Sequence, residues 1–280
     1  MYDPQRVTGF FSRYGEREWD RLSNYVGGIV EYRVTMQVLE TYLPQAAHVL
    51  DAGGGPGRYT IALAQQGHRV HLVDLSQTQL DMARARIADA NVADRVVSLS
   101  QADICDLSEF PPGTFDAVLC LGGALSYVRE RRGDAIRELI RVAQPGAPLI
   151  VSVMSMVGAL HLIGTLDACS FLESIEDHID WDPTSPLPSM LDSVPDSREW
   201  HAPMTLYTSS FLRRTLEEQG CRVLHIAATN SITAGDCEMP RIAASQKAID
   251  VLVRLEQELC SLPGVLDMGQ HLIAVATTPS

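Results

Sequence analysis

The chain has 280 residues, 46% of them hydrophobic and 20% charged, the balance of a soluble globular protein with room for a sizeable core. Its formal net charge of −13 repels polyphosphates, which argues against a nucleic-acid partner. The opening "MYDPQRVTGFFSRYGEREWDRL" is too charged for a secretory signal, and no apolar run reaches the ~18 residues of a membrane span, so the expectation is a cytoplasmic protein with no membrane partner.

In chain order, residues 12–43 read as helical, with a break at Gly27-Gly28 and a stop at Pro44. "HVLDAG" (48–53) is a short buried strand, and a glycine loop leads from it into the helix "RYTIALAQQ", which ends at Gly67. "RVHLVD" (69–74) is the second strand. Ser76, with Gln79 three residues on, has the form of a capping box, and the helix behind it carries Leu80, Ala83 and Ile87 on one face. "RVVSLSQAD" and "FDAVLCLGG" are strands three and four; the helix "RGDAIRELIRVA" connects to strand five, "APLIVSVMS". Strands alternating with helices imply a parallel sheet covered on both faces.

That alternation stops near residue 155. Residues 155–205, which include "DHIDWDPTSPLPSMLDSVPDS", are too long and too rich in Pro, Asp and Ser for a plain connection, and read as a cap over the sheet edge, with Trp181, Leu187 and Met190 as an apolar wall. Regularity returns with the helix "SSFLRRTLEEQG", the strand "CRVLHIAAT", a long helix near 241–260 and a last strand, "QHLIAVATT". Six cysteines occur without a Cys-x-x-Cys pair or a His at zinc-ligand spacing, so the thiols are expected to be reduced and no metal site is expected.

The loop Asp51-Ala52-Gly53-Gly54-Gly55-Pro56-Gly57 carries the chemistry. The nicotinamide fingerprint Gly-x-Gly-x-x-Gly does not fit it, since the sixth position from Gly53 is Arg58 and from Gly55 is Thr60. Asp-x-Gly-x-Gly-x-Gly fits at every position. Glycines let backbone N–H groups approach a ligand, and the helix N-terminus behind them favours an anionic group.

With this loop, Asp74 at the end of strand two, "QADI" (101–104), "FDAVLCLGGALSYV" and "RVAQPGAPLIVSV", the sequence resembles the class I S-adenosylmethionine-dependent methyltransferases over residues 30–155. Ala147 stands where that family usually has a second Gly. "EWDRL", "GGGPGRY" and "GQHLIAVA" resemble, more narrowly, a bacterial group of small-molecule methyltransferases. The resemblance implies an α/β, Rossmann-like doubly wound, mostly parallel seven-stranded sheet with helices on both faces. It divides the chain into an N-terminal helical lid (1–45), a cosubstrate-binding core (46–154), a cap (155–207) and the C-terminal part of the sheet with an inserted helix (208–280).

It also implies S-adenosyl-L-methionine as cosubstrate. Asp51 would balance its ammonium group beside Ala52, Gly53, Gly54, Gly55 and Gly57. Asp74 would accept both ribose hydroxyls and Leu75 would face the adenine. Asp103, between Ala102 and Ile104, would accept from the adenine amino group, and Leu121 follows strand four. Tyr14, Trp19, Tyr25 and Arg33 lie in the N-terminal helices, with Tyr14 and Tyr25 placed among the cosubstrate contacts.

For the acceptor side, His201 and His178 in or beside the cap, and His271 opening the last strand, are general-base candidates. Tyr127 is a candidate lining residue, while His71 reads as core. The expected activity is methyl transfer to O, N, S or C of a small molecule by a monomer or homodimer. Aminocarboxypropyl transfer or cyclisation on the same fold, and a catalytically silent regulatory binder, are the alternatives.

Overall fold

The computed structural model describes residues 1–165, 202–234 and 239–279. Seven strands, β1 (His48–Ala52), β2 (Arg69–Asp74), β3 (Val96–Gln101), β4 (Ala117–Cys120), β5 (Pro148–Met154), β6 (Arg222–Ala228) and β7 (His271–Thr277), form one sheet in the order β3-β2-β1-β4-β5-β7-β6. β7 runs antiparallel to β5 and β6; the other neighbours are parallel, as expected for a doubly wound fold. The central strands β1, β4 and β5 are buried on both faces. Val49 joins a core with Leu39, Leu63 and Ile150, while Leu50 joins the opposite one with Ile136, Leu139 and Leu212.

Eleven helices are described: α1 (Pro4–Tyr14), α2 (Arg17–Asp20), α3 (Val26–Tyr42), α4 (Arg58–Gln65), α5 (Gln77–Asp89), α6 (Ala124–Tyr127), α7 (Arg132–Val142), α8 (Met156–Thr165), α9 (Ser209–Glu217), α10 (Pro240–Ala243) and α11 (Gln246–Leu259). The parallel order sends the carboxyl ends of β1 to β5 to one edge, so Asp51, Asp74, Asp103 and the loop after β4 face one cleft. Both ends of the expected cap leave from this edge: Met156 N–H donates to Tyr207 O at 2.8 Å and Thr205 N–H to Ser126 O at 2.8 Å.

Two local expectations are corrected. Gly27-Gly28 does not break a helix; both residues lie in the first turn of α3, and the breaks fall at Gly15 and at residues 21–25. Gly28 is needed because the chain crosses itself there: a Cβ would meet Arg21 O at 1.6 Å. The capping box forms only by half. Ser76 Oγ accepts from Gln79 N–H at 3.4 Å, but the Gln79 amide turns away and donates to Phe11 O and Gly15 O at 2.9 and 3.3 Å. A reciprocal cap is given up for a tie to α1.

Since backbone rather than a flexible side chain opposes Gly28, Gly28→Ala is expected to cost about 1–3 kcal/mol. Urea titration of the folded protein measures this.

Candidate functional site

The floor of the cleft is the turn out of β1. Asp51 is fully buried; its Oδ2 accepts from Thr60 Oγ1 at 2.6 Å, and its Oδ1 has no partner. The loop's N–H groups are spent inside the protein, unlike the expectation that they face a ligand. Gly53 and Gly54 N–H both donate to Val73 O, and Gly55 N–H donates to Asp74 Oδ2 at 2.9 Å. What the glycines leave bare is close access to the chain, with Gly53, Gly54 and Gly55 lining the cleft. Gly57 and Ala52 lie outside that lining. Gly57, at φ 82°, lets α4 pack on α5, its missing Cβ falling 3.3 Å from that of Ala83, and Ala52 is core.

Asp74 Oδ1 accepts from Ser76 N–H at 2.8 Å, so one carboxylate spans two turns and keeps a further acceptor site on each oxygen. Leu75, Ala102, Asp103, Ile104 and Leu121 also line the cleft. Asp103 Oδ1 accepts from Cys105 N–H at 2.8 Å, and its Oδ2 accepts from the Tyr2 hydroxyl at 3.0 Å. Tyr2 carried no motif that would have singled it out.

The roof is α1, through Val7, Thr8 and Phe11, with Glu18 of α2 and Arg21 just beyond it. Gln79 and a Ser12–Ser76 hydroxyl contact at 3.2 Å hold α1 down. Tyr127 lines the cleft, fully buried, with Phe11 edge-on at 5.2 Å. Tyr14 and Tyr25 lie outside the lining: Tyr14 stacks on Phe10 at 5.5 Å, and Tyr25 precedes α3 as an exposed residue. Trp19 sits between the Arg58 and Arg86 guanidinium groups, 4.1 and 4.5 Å from its ring, and Arg33 pairs with Asp250 on α11 at 2.6 Å.

His271 is buried behind the cleft wall, its Nδ1 3.4 Å from Glu31 Oε2. His71 is hydrogen-bonded to Ser98 at 2.7 Å, and burial lowers it to about 4. His178, His201, two of the six cysteines (Cys169 and Cys237) and the apolar wall of the cap fall outside the described residues. Among the described residues, no cluster of His, Cys, Asp or Glu could hold a metal ion, and no helix is long and apolar enough to cross a membrane. Cys105, Cys120, Cys221 and Cys260 are free and buried.

The electrostatics favour a cation. Burial pushes Asp51 up to about 6 against the hydrogen bond from Thr60. Burial also pushes Asp74 up to about 6, opposed by the Ser76 and Gly55 N–H groups and reinforced by the charges of Glu18 and Asp51.

A family model described as a methyltransferase domain matches residues 49–146. The chain is 25% identical over 245 residues to the tRNA 5-carboxymethoxyuridine methyltransferase of Escherichia coli K12, covering 87% of this chain and 84% of that one. It is 33% identical over 126 residues to the ubiquinone/menaquinone biosynthesis C-methyltransferase of Azotobacter vinelandii, covering 44% and 48%. Several curated relatives are matched over only about half of their length. Among solved structures, the magnesium protoporphyrin IX methyltransferase of Synechocystis PCC 6803 with bound S-adenosylhomocysteine superposes with a TM-score of 0.59 at 18% identity, covering 99% of each chain. Residues 49–146 thus match a methyltransferase domain, on a fold shared with S-adenosylmethionine-dependent methyltransferases.

The residues of this cleft fit the cosubstrate of such enzymes, S-adenosylmethionine. The orphaned, buried Asp51 Oδ1 suits an ammonium hydrogen, and Asp74 has acceptor sites left for ribose hydroxyls. Asp103, flanked by Ala102 and Ile104, offers an acceptor beside apolar Leu75.

Asp74→Asn is expected to weaken S-adenosylhomocysteine binding by about 1.5–3 kcal/mol, the scale of a charged hydrogen bond, as read by calorimetry. The affinity of that ammonium-bearing ligand is also expected to fall as pH is lowered through about 6, because protonating Asp51 and Asp74 removes the charges that attract it. Calorimetry across a pH series should show a shallower fall in Asp51→Asn than in the parent protein.

Proposed function

We propose that this methyltransferase moves a methyl group from S-adenosylmethionine to a small organic acceptor. The observation that carries the reading is the roof: α1 closes over the cleft through Val7, Thr8 and Phe11, beside an apolar cluster of Phe10, Tyr127, Met156, Met204 and Leu206. A closed, aromatic-walled cleft suits a compact acceptor and excludes water from the transfer. The net charge of −13 weighs in the same direction.

When bound, the cosubstrate supplies an electrophilic methyl on a good leaving group. The chain's own task is then to bind and align: Asp51, Asp74 and Asp103 fix one reactant, and the Tyr127 side of the cleft receives the other. Alignment of this kind contributes several kcal/mol. A general base is required only for an acceptor that is protonated when bound.

A second reading, a tRNA acceptor, is favoured by the Escherichia coli relative matched over 84% of its length. One experiment separates the two. The protein is incubated with labelled S-adenosylmethionine and either a metabolite extract or total tRNA, and products heavier by one methylene are sought by mass spectrometry. Label is expected in the metabolite arm. Label confined to tRNA would establish the second reading, and cosubstrate consumption without methylated product would point to another transfer chemistry.

A further inference from the structure

A second cavity shares Tyr2, Val7 and Tyr127 with the cleft but none of the floor carboxylates Asp51, Asp74 and Asp103. It is bounded by the start of α1, the turn after α6 and Pro203. Two arginines stand on its wall, Arg6 of α1 and Arg129 of the turn, against one carboxylate, Asp3. That carboxylate is engaged: Asp3 Oδ1 accepts from Gln5 and Arg6 N–H at 2.9 and 3.2 Å, capping α1. Glu130, beside Arg129 in sequence, accepts from the Tyr2 N–H. A wall on which arginines outnumber carboxylates runs against a chain of 22 basic and 35 acidic residues.

Arg129 is held there at a cost. Its φ of 52° lies in the left-handed region, where a side chain crowds its own backbone and glycine would fit without strain. The turn is pinned around it: Arg131 N–H donates to Val128 O at 2.9 Å, and Arg132 Nη1 donates to Arg129 O at 3.2 Å. Strain of this kind persists where the surroundings over-determine it, and it gathers at ligand-binding sites. Arg129 Nη1 donates to Met1 O at 2.9 Å, which fixes the guanidinium beside the cavity. A guanidinium carries five N–H donors, so a ligand can share it with that carbonyl.

Between the arginines and the cleft the shared wall is apolar and aromatic, through Val7 and Tyr127, with Pro203 on the cavity side. A molecule with an apolar body and one anionic end matches that sequence of surfaces: the body against Val7 and Tyr127, the anion against the guanidinium groups. A carboxylate suits it better than a polyphosphate, which the net charge of −13 repels. We propose that this cavity is a subsite for the carboxylate of an organic-acid acceptor, with Arg6 and Arg129 as its binding residues. The carboxylate is held away from the cosubstrate, so the methyl group goes to another atom of the acceptor and the product remains an acid. The proposal rests on the reading that the acceptor is a small molecule received on the Tyr127 side of the cleft.

In the test, a metabolite extract is split on an anion exchanger into retained acids and a flow-through of neutral and cationic compounds. Each fraction is incubated with the protein and labelled S-adenosylmethionine. Label is expected from the retained fraction, in products that keep a carboxylate. With that fraction, Arg6→Gln and Arg129→Gln are each expected to raise the amount needed for half-maximal labelling roughly 10-fold, the scale of one charged hydrogen bond, and the double variant more. S-adenosylhomocysteine affinity, read by calorimetry, is expected to stay within about twofold in all of them. Arg129→Lys, which keeps the charge and loses the fork, should recover part of the loss. Arg129→Gly, which relieves the backbone, should bind S-adenosylhomocysteine like the parent and still lose the acceptor as Arg129→Gln does.

Label only from the flow-through, or only in phosphorylated compounds, would overturn the proposal, as would unchanged labelling of the retained acids in the double variant. A parallel loss of S-adenosylhomocysteine affinity in every variant, Arg129→Gly included, would make the two arginines purely structural and overturn it too. Absence of label from both fractions with the parent protein would instead overturn the underlying reading of a small acceptor.

Discussion

Asp74 holds the cleft floor in shape. Its two oxygens take the N–H groups of Gly55 and Ser76, joining the turn out of β1 to the turn out of β2. Without that bridge the two turns would be joined here only through the Val73 carbonyl, which receives Gly53 and Gly54 N–H. Ser76, fixed by Asp74 on its backbone side, then caps α5 and touches Ser12 of α1 with its hydroxyl. A single carboxylate at the carboxyl end of β2 thus sets the loop, the start of one helix and one anchor of the roof.

This concentration of charge is costly in the absence of a ligand. Asp51 and Asp74 are held near 6 by burial, and Glu18 adds a third carboxylate beside them, answered on the protein side by Arg21. An interior so arranged is preorganised for a partner that brings positive charge, because a donor at the unsatisfied acceptor recovers the free energy its burial costs. The same logic explains why the general-base histidines sought in the sequence do not gather here among the described residues. His271 serves the wall through Glu31, and His71 serves the sheet through Ser98.

The central fold and the residues that line the floor of the cleft were legible because their signals are local. The strand–loop–helix register of Asp51 to Gly57, the carboxylate closing β2 and the one following β3 each depend on neighbours a few residues away, and β-sheet order follows from alternation. The roof was not legible. Tyr2 reaches Asp103 across the whole first half of the core, and Arg21 reaches Glu31, which in turn faces His271, from segments without motif or shared periodicity. Gly27-Gly28 misled for a related reason. Glycine signals either freedom or crowding, and only the fold reveals that Gly28 is crowded by Arg21 O. Gln79 misled because its amide had two possible employers, its own helix end and the backbone of α1, and the second lies 64 and 68 residues away in sequence.

The anchors of α1 give the roof a definite relation to binding. Tyr2, just before the helix, donates to Asp103, and Ser12, near its end, meets Ser76, whose N–H is held by Asp74. Two of the residues that hold α1 are therefore bonded to the carboxylates suited to adenine and ribose, Tyr2 through its hydroxyl and Ser76 through its main-chain N–H. Both carboxylates retain acceptor capacity, so a ligand can share them with the roof rather than displace it. Thermodynamic linkage then runs both ways: whatever orients Asp103 and Asp74 for the ligand also orients the points on which α1 rests. Closing the roof and shaping the floor of the cleft are two descriptions of one set of hydrogen bonds.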